Sequence, residues 1–300
     1  MRSFTSSARD LRNVLFHIVT HTGNRKHRVF ALLRFVYWQL RKRVLRRSMT
    51  ITTSFGMRFK IVRDSKFSSL VYYTGLPDWD EMQFLLRVLR RSDGFIDIGA
   101  NVGFYTLIAG SKVDENLIWA VEPVERNLVV LYEQLELNQL KRVNVIPFTL
   151  SHTSGSVLFG GEDRETGGIC DMRTGNEEIV EARRLDELIA DKDLPAVVFA
   201  KIDVEGGEMD VLRGSTRLLQ SPKIAVFLFE LSEENLRKRG HTSEDLLKMW
   251  ERFGFRFYCW NEFRKSLREI DPRLTKNPNV IACRKDINWL HGRLREYSGE

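Results

Sequence analysis

The sequence predicts an α/β protein: a mostly parallel sheet with helices on both faces. Three observations carry this. From residue 94 onward, short β-branched or aromatic runs alternate with segments of helical periodicity. The first of these runs, "GFIDIGA", ends in an acid and a bend of small residues that feeds a helix. Later strand-like runs also end in acids, so that Asp97, Glu122, Asp203 with Glu205, and Glu230 mark four strand ends. Ligands of such sheets bind at the carboxyl ends of strands, where strand order reverses, and these acids therefore share one rim.

The elements follow in order. Residues 1–48 read as a basic amphipathic helical arm. In "RVFALLRFVYWQLRKRVLRR" (28–47), Phe30, Leu33, Val36, Tyr37, Leu40 and Val44 recur at helical spacing among Arg and Lys. Two readings stand for it. One is an interfacial helix on an anionic membrane, with Tyr37 and Trp38 at headgroup depth; the other is an ordinary packed helix with a solvated basic face. Residues 49–92 hold a hairpin ("MTITTSFGMRFKIVR") and a helix over 80–91. The domain over 93–290 then runs strand 94–100, helix 102–111, strand 117–123, helix 124–140, strand 143–150, strand 196–206, helix 208–220, strand 223–231, helix 243–254 and strands 255–260 and 279–284. Residues 291–300 read as a tail. The glycine-rich "GGEDRETGGICDM" (160–172) is either a lid or acceptor wall, or a surface hairpin.

Bulk properties limit the function classes. The 300 residues carry 43% hydrophobic and 29% charged side chains, an ordinary globular balance. The net charge of +7 is concentrated in the first 50 residues, where Asp10 is the only acid. Nucleic-acid binding would therefore rest on the arm alone and is not expected. Cys170, Cys259 and Cys283 fit neither a zinc pattern nor a CxxC motif, and reduced cysteines of a cytoplasmic protein are expected. The longest apolar run, 29–40, is interrupted by Arg34 and is too short to span a bilayer.

The bend identifies a class of cofactor. Gly99 and Gly103 allow close backbone approach, and Asn101 tolerates a left-handed conformation. Glu122, roughly 20 residues downstream at the next strand end, can accept hydrogen bonds from a ribose diol. NAD would share that feature, but the G-x-G-x-x-G fingerprint is absent, and Asp97 would repel a pyrophosphate. An acid suits the ammonium group of S-adenosylmethionine, which carries no phosphate. Asp97, Gly99, Asn101 and Gly103 are assigned to its methionine portion, Glu122 to its ribose, and Ser151, at the end of the third strand, to its adenine edge.

"FIDIGANVGFYTLIA" (95–109), "AVEPVERNLVVLYEQLELN" (120–138), "RLDEL" (184–188) and "KIDVEGGEMDVLRG" (201–214) resemble the FkbM-type S-adenosylmethionine-dependent methyltransferase family over roughly residues 65–285. The resemblance implies a class I methyltransferase (Rossmann-like) fold, with seven strands in the order 3-2-1-4-5-7-6. It also implies O-methylation of a sugar, glycolipid or natural-product hydroxyl. Ser232 stands where relatives often carry histidine, and Thr149 where alanine is usual. Asp203 and Glu205 are the expected catalytic residues, facing the acceptor, one as a general base; capping of the next helix is the structural alternative for Glu205. His152 is weighed as a base against a solvated loop histidine. Asp186 is read as an N-cap. No metal site is expected, although Asp203 with Glu230 is a conceivable divalent pair. Competing functions are an RNA or protein methyltransferase, an NAD-dependent dehydrogenase and a non-catalytic binding module. The expected location is cytoplasmic, peripheral at the inner membrane face.

Overall fold

The computed structural model describes residues 4–44, 47–63, 65–160, 167–170, 177–275 and 279–298. Residues 45 and 46 of the basic arm, 161–166 and 171–172 of the glycine-rich segment, and 299–300 of the tail lie outside the described residues. The chain divides into two compact units, Met1–Trp79 and Asp80–Glu300.

The first unit contains α1 (Phe4–Thr20), α2 (Arg28–Val44), the strands β1 (Met49–Thr52) and β2 (Arg58–Ile61), and α3 (Lys66–Thr74). β1 and β2 form the expected antiparallel hairpin, Met49 opposite Ile61. The buried Asn24, between α1 and α2, donates from Nδ2 to the carbonyls of Ile18 and Tyr73, at 2.9 and 3.2 Å. This ties the connection to the end of α3. Trp38 corrects one expectation. It is fully buried, and its indole N–H donates to Ser69 Oγ at 3.0 Å, so it does not stand at headgroup depth. The reason is helical geometry: Trp38 lies seven residues from buried Ala31 on the inner face, and an indole placed inside needs a partner for its N–H.

The second unit opens with α4 (Trp79–Val88), whose first residue falls at the boundary. β3 (Gly94–Ile98), α5 (Phe104–Gly110), β4 (Ile118–Val121), α6 (Glu125–Leu137) and β5 (Asn144–Ile146) follow. A small sheet interrupts the alternation: β6 (Thr149–Leu150), β7 (Gly155–Gly160), β8 (Gly168–Ile169) and β9 (Glu178–Arg183), followed by α7 (Leu185–Leu188). The alternation resumes with β10 (Val198–Ile202), α8 (Glu208–Arg213), α9 (Thr216–Gln220), β11 (Ile224–Glu230), α10 (Glu233–Lys238), α11 (Ser243–Arg252), β12 (Arg256–Asn261), β13 (Ser266–Glu269), β14 (Asn279–Cys283) and α12 (Ile287–Ser298).

Among the described residues the main sheet has eight strands, ordered β5-β4-β3-β10-β11-β14-β12-β13. Numbered within the sheet this is 3-2-1-4-5-8-6-7, which corrects the expected seven strands and their order. β13 is the addition: it folds back on β12 as an antiparallel edge strand, with Asn261 opposite Ser266. The first five strands run parallel, and β14 is antiparallel to β11. β3, β4 and β10 are buried along their whole length, which is why, apart from Asp97 and Lys201, they read as apolar runs rather than alternating ones.

The run 143–150 is not one strand. β5 stops at Ile146, before Pro147, which has no N–H to continue a ladder. β6 then pairs with β9, Thr149 opposite Ala182, in the separate order β6-β9-β7-β8. The helix expected over 208–220 is broken into α8 and α9 around Gly214. The stretch read as a tail from 291 belongs to α12. There Arg293 donates from both terminal nitrogens to buried Asp93, at 2.5 and 2.9 Å.

Candidate active site

Two turns at the carboxyl ends of neighbouring strands build the site. The first leaves β3. Asp97, one residue before its end, is 1% exposed and accepts a hydrogen bond from Thr106 Oγ1 at 2.6 Å. Burial pushes its carboxyl up to about 6, against the pull of Thr106 and of Lys201. Gly99 has φ +82° and Asn101 φ +50°. The amides of Gly99 and Ala100 both donate to Val121 O, at 3.0 and 2.9 Å, and lash the turn to β4. Gly103, at φ +85°, is the N-cap of α5. Three left-handed residues within five positions explain the spacing of small side chains seen in the sequence.

Glu122 organises this turn from the next strand end. It is nearly fully buried. Its Oε2 accepts from Asn101 N at 2.8 Å, and its Oε1 from Val124 N at 2.9 Å and Asn127 Nδ2 at 3.1 Å. Burial raises its proton affinity, opposed by those three donors. A carboxylate offers about four acceptor positions, so three bonds leave capacity for one further hydroxyl. Asn127, on α6, lies within the motif over 120–138 but is not among the residues that the sequence pattern assigns to the cofactor; its signal is its place five residues after Glu122, on the first turn of the following helix.

The second turn leaves β10, which pairs directly with β3, Lys201 opposite Asp97. Asp203 N donates to Ile98 O at 3.0 Å. Asp203 Oδ2 pairs with Lys201 Nζ at 2.8 Å, and its side chain is 41% exposed. The two turns touch: a Cβ on Gly99 would stand 2.0 Å from Asp203 O. Glu205 takes φ +51° and Gly206 φ +96°. Glu205 Oε2 accepts from Asn235 Nδ2 at 2.9 Å, and burial, then the charge of Asp203, raise its proton affinity. Glu205 does not cap α8, whose N-cap is Gly207. Glu208, in the first turn of α8, accepts from Gly206 N at 3.2 Å. Burial, with the charges of Asp203 and Glu230 adding to it, pushes Glu208 up to about 7.

Ser151 is buried, with its N–H on Arg183 O at 3.0 Å. It follows β6 and so belongs to the small sheet, not to the end of the third strand of the main sheet. β8 comes close to the second turn: a Cβ on Gly168 would lie 3.4 Å from the carbonyls of Val204 and Glu205. His152 is an exposed loop histidine, as one reading expects, but it has a partner. Its Nδ1 lies 2.8 Å from Asp210 Oδ1, and Asp210 Oδ2 accepts from Arg239 Nη2 at 2.8 Å. Despite burial, Arg239 and His152 hold Asp210 below the usual carboxylate range. Asp186 caps a helix other than its own, accepting from the amides of Arg217 and Leu218 in α9, at 2.9 and 3.0 Å. Among the described residues no group of three or more His, Cys, Asp or Glu is arranged to hold a metal.

The arrangement suits a ligand with a diol and an ammonium group and no phosphate. Asp97 and Glu122 are buried acids on paired strands flanking the turn, and a pyrophosphate there would meet both.

Comparison with known proteins agrees. The methyltransferase FkbM domain matches residues 97–257. Hexuronic acid methyltransferase AglP from Haloferax volcanii is 28% identical over 149 residues, covering 49% of this chain and 60% of that protein. Methyltransferase 1 from Beauveria bassiana is 28% identical over 145 residues, covering 41% of this chain and 58% of that protein. The chain thus spans about 60% of the length of these curated relatives. Among solved structures, precorrin-6y C5,15-methyltransferase from Geobacter metallireducens aligns with TM-score 0.39 and 14% identity, over 68% of this chain and 85% of that one. SMU.1697c from Streptococcus mutans, a putative methyltransferase in complex with SAH, aligns with TM-score 0.40 and 12% identity, over 67% and 93%. Both strand-end turns lie inside the matched residues, and the chain belongs to the FkbM methyltransferase family, whose methyl donor is S-adenosylmethionine.

Proposed function

We propose that this protein is an S-adenosylmethionine-dependent O-methyltransferase whose acceptor is a hydroxyl of a sugar, glycolipid or natural product. The observation that carries the reading is the contact of the two turns, Asp203 N on Ile98 O and Asp203 O against the bare α-carbon of Gly99. It sets an acid-lined acceptor side against a glycine-lined donor side. The sugar acceptor draws support from the hexuronic acid methyltransferase relative. A cytoplasmic site of action is part of this reading.

When bound, S-adenosylmethionine would supply an electrophilic methyl group to the acceptor oxygen. The chain's own groups do the rest. The Gly99–Gly103 turn, held by Glu122, fixes the donor side, and the remaining acceptor position of Glu122 takes a ribose hydroxyl. Ser151, buried just after β6, is assigned to the adenine. Asp203, tied to Lys201 and partly open to solvent, positions the acceptor hydroxyl. Glu205 receives its proton. Partial desolvation, then the charge of Asp203, makes this surface carboxylate a stronger base than an ordinary one, and Asn235 fixes its orientation.

Calorimetric titration with S-adenosylmethionine and with NAD tests this. S-adenosylmethionine binds, NAD does not, and Glu122→Ala weakens binding about tenfold or more. Binding of NAD, or of neither, sinks the reading. Transfer of labelled methyl to uronic-acid-bearing acceptors, and not to RNA or protein, then fixes the acceptor class.

A further inference from the structure

We infer that the outward face of α2 docks this protein on an anionic lipid bilayer, with the helix lying in the interface plane. The inference goes beyond the acceptor chemistry and does not depend on it. Val29, Phe30, Leu33, Val36, Leu40 and Val44 are 70, 66, 58, 51, 57 and 74% exposed. At about 100° per residue they fall within an arc of roughly 120°. Tyr37 lies in the same arc and is 50% exposed. The opposite face carries Ala31 and Trp38, both fully buried. The helix is thus amphipathic twice over: its inner face is occupied, and its outer face is a continuous apolar stripe in water. A stripe of this kind marks a binding surface rather than scattered surface hydrophobics.

Charge identifies the occupant. α2 carries Arg28, Arg34, Arg41, Lys42 and Arg43 and no acid. On the helical wheel Arg34 and Arg41 border the stripe on one side and Arg43 on the other. Residues 1–50 hold twelve Lys and Arg against the single acid Asp10. Cations flanking an apolar stripe match a surface of anionic headgroups over acyl chains. A second copy of α2 would place its cations against these with no acid to pair them. Nucleic acid would satisfy the cations and leave the apolar stripe in water. Among the described residues no helix is long and apolar enough to cross a membrane, so the helix lies on the bilayer rather than through it.

Vesicle flotation of the full chain tests the inference. The probes are phosphatidylcholine vesicles with and without about 30% phosphatidylglycerol. The wild-type chain is expected to float with the anionic vesicles, weakly with the neutral ones, and less as salt rises. Leu33→Glu with Leu40→Glu is expected to lower the bound fraction about tenfold or more. Its melting temperature and S-adenosylmethionine affinity should stay unchanged, because both side chains are exposed. Four results overturn the inference: no flotation of the wild type, equal binding to both vesicle types, equal binding of the double variant, or a wild-type dimer in sedimentation that the double variant converts to monomer. The last would make a second copy the occupant.

Discussion

The turns after β3 and after β10 are built alike and hold their acids differently. Each follows a buried parallel strand, and each contains left-handed residues, Gly99, Asn101 and Gly103 in one, Glu205 and Gly206 in the other. In the first, the acids are buried and largely engaged by the fold: Asp97 accepts from Thr106, and Glu122 accepts from three donors, with one position left for a ligand hydroxyl. In the second, Asp203 stays 41% exposed and Glu205 has a raised proton affinity. The contrast separates two tasks that a strand-end acid can perform. One holds a backbone shape against which a ligand rests. The other leaves a group open to solvent, where the proposed reaction would need it.

The largest expected effect breaks the junction between them. Gly99→Ala would place a Cβ 2.0 Å from the Asp203 carbonyl, a backbone atom, at φ +82°. Clash and strain together are expected to cost about 3 kcal/mol or more. Gly103→Ala meets only the end of the Leu131 side chain, at 2.5 Å, which can turn aside, and should cost about 1 kcal/mol. Urea unfolding of the two variants measures the difference. Equal losses would mean that the two turns do not depend on their contact.

The second effect separates the turns by function. Glu122→Gln replaces an acceptor of three hydrogen bonds and should weaken S-adenosylmethionine binding about tenfold or more. Asp203→Asn should lower kcat about 100-fold with little change in donor affinity. Single-turnover rates and calorimetry on both variants check this. Equal losses of kcat and affinity in Asp203→Asn would remove Asp203 from the acceptor side.

The third effect is a pH dependence. Glu208 titrates near 7 and Asp97 near 6 in the folded protein, both raised by burial. Between the ordinary carboxylate range and those values the folded state binds more protons than the unfolded chain. Stability is therefore full below the unfolded value and falls as pH rises through the folded one. The melting temperature should drop by several degrees between pH 5 and pH 8, and Glu208→Gln should flatten the upper part of that slope. A melting temperature that rises over this interval would contradict the burial of both groups.

Much of this contrast is legible in the sequence, because it is local. The left-handed positions are written as glycine and asparagine, and Glu122, Asp203 and Glu205 sit at the ends of runs that are apolar on both faces. What was not legible depends on partners far along the chain. β6 finds β9 across some thirty residues, and short strands such as "GSVLFG" carry no such instruction. β13 exists because it has β12 to lean on. Asp186 looks like a cap for its own helix and instead satisfies α9, since that is where unbonded amides face it. His152 looks solitary because Asp210 and Arg239 are distant in sequence.

That last trio gives the smallest effect and sharpens the comparison most. Asp210 lies below the usual carboxylate range, so it is ionised, and His152 Nδ1–H donates to it. The stability this pairing contributes is present above the ordinary carboxylate range and is lost as pH falls through the lowered value. Arg239→Ala leaves the buried carboxylate with one donor fewer and should cost about 1–3 kcal/mol. His152 is about half exposed, and His152→Ala should cost about 0.5 kcal/mol because Arg239 remains. Both figures can be read from urea melts. The same variants distinguish two proton acceptors. If Glu205 receives the acceptor proton, His152→Ala keeps kcat and its pH profile, and Glu205→Gln abolishes the rising limb. If the limb disappears with His152→Ala instead, the base belongs to the small sheet. The β10 turn would then share the structural task of the β3 turn.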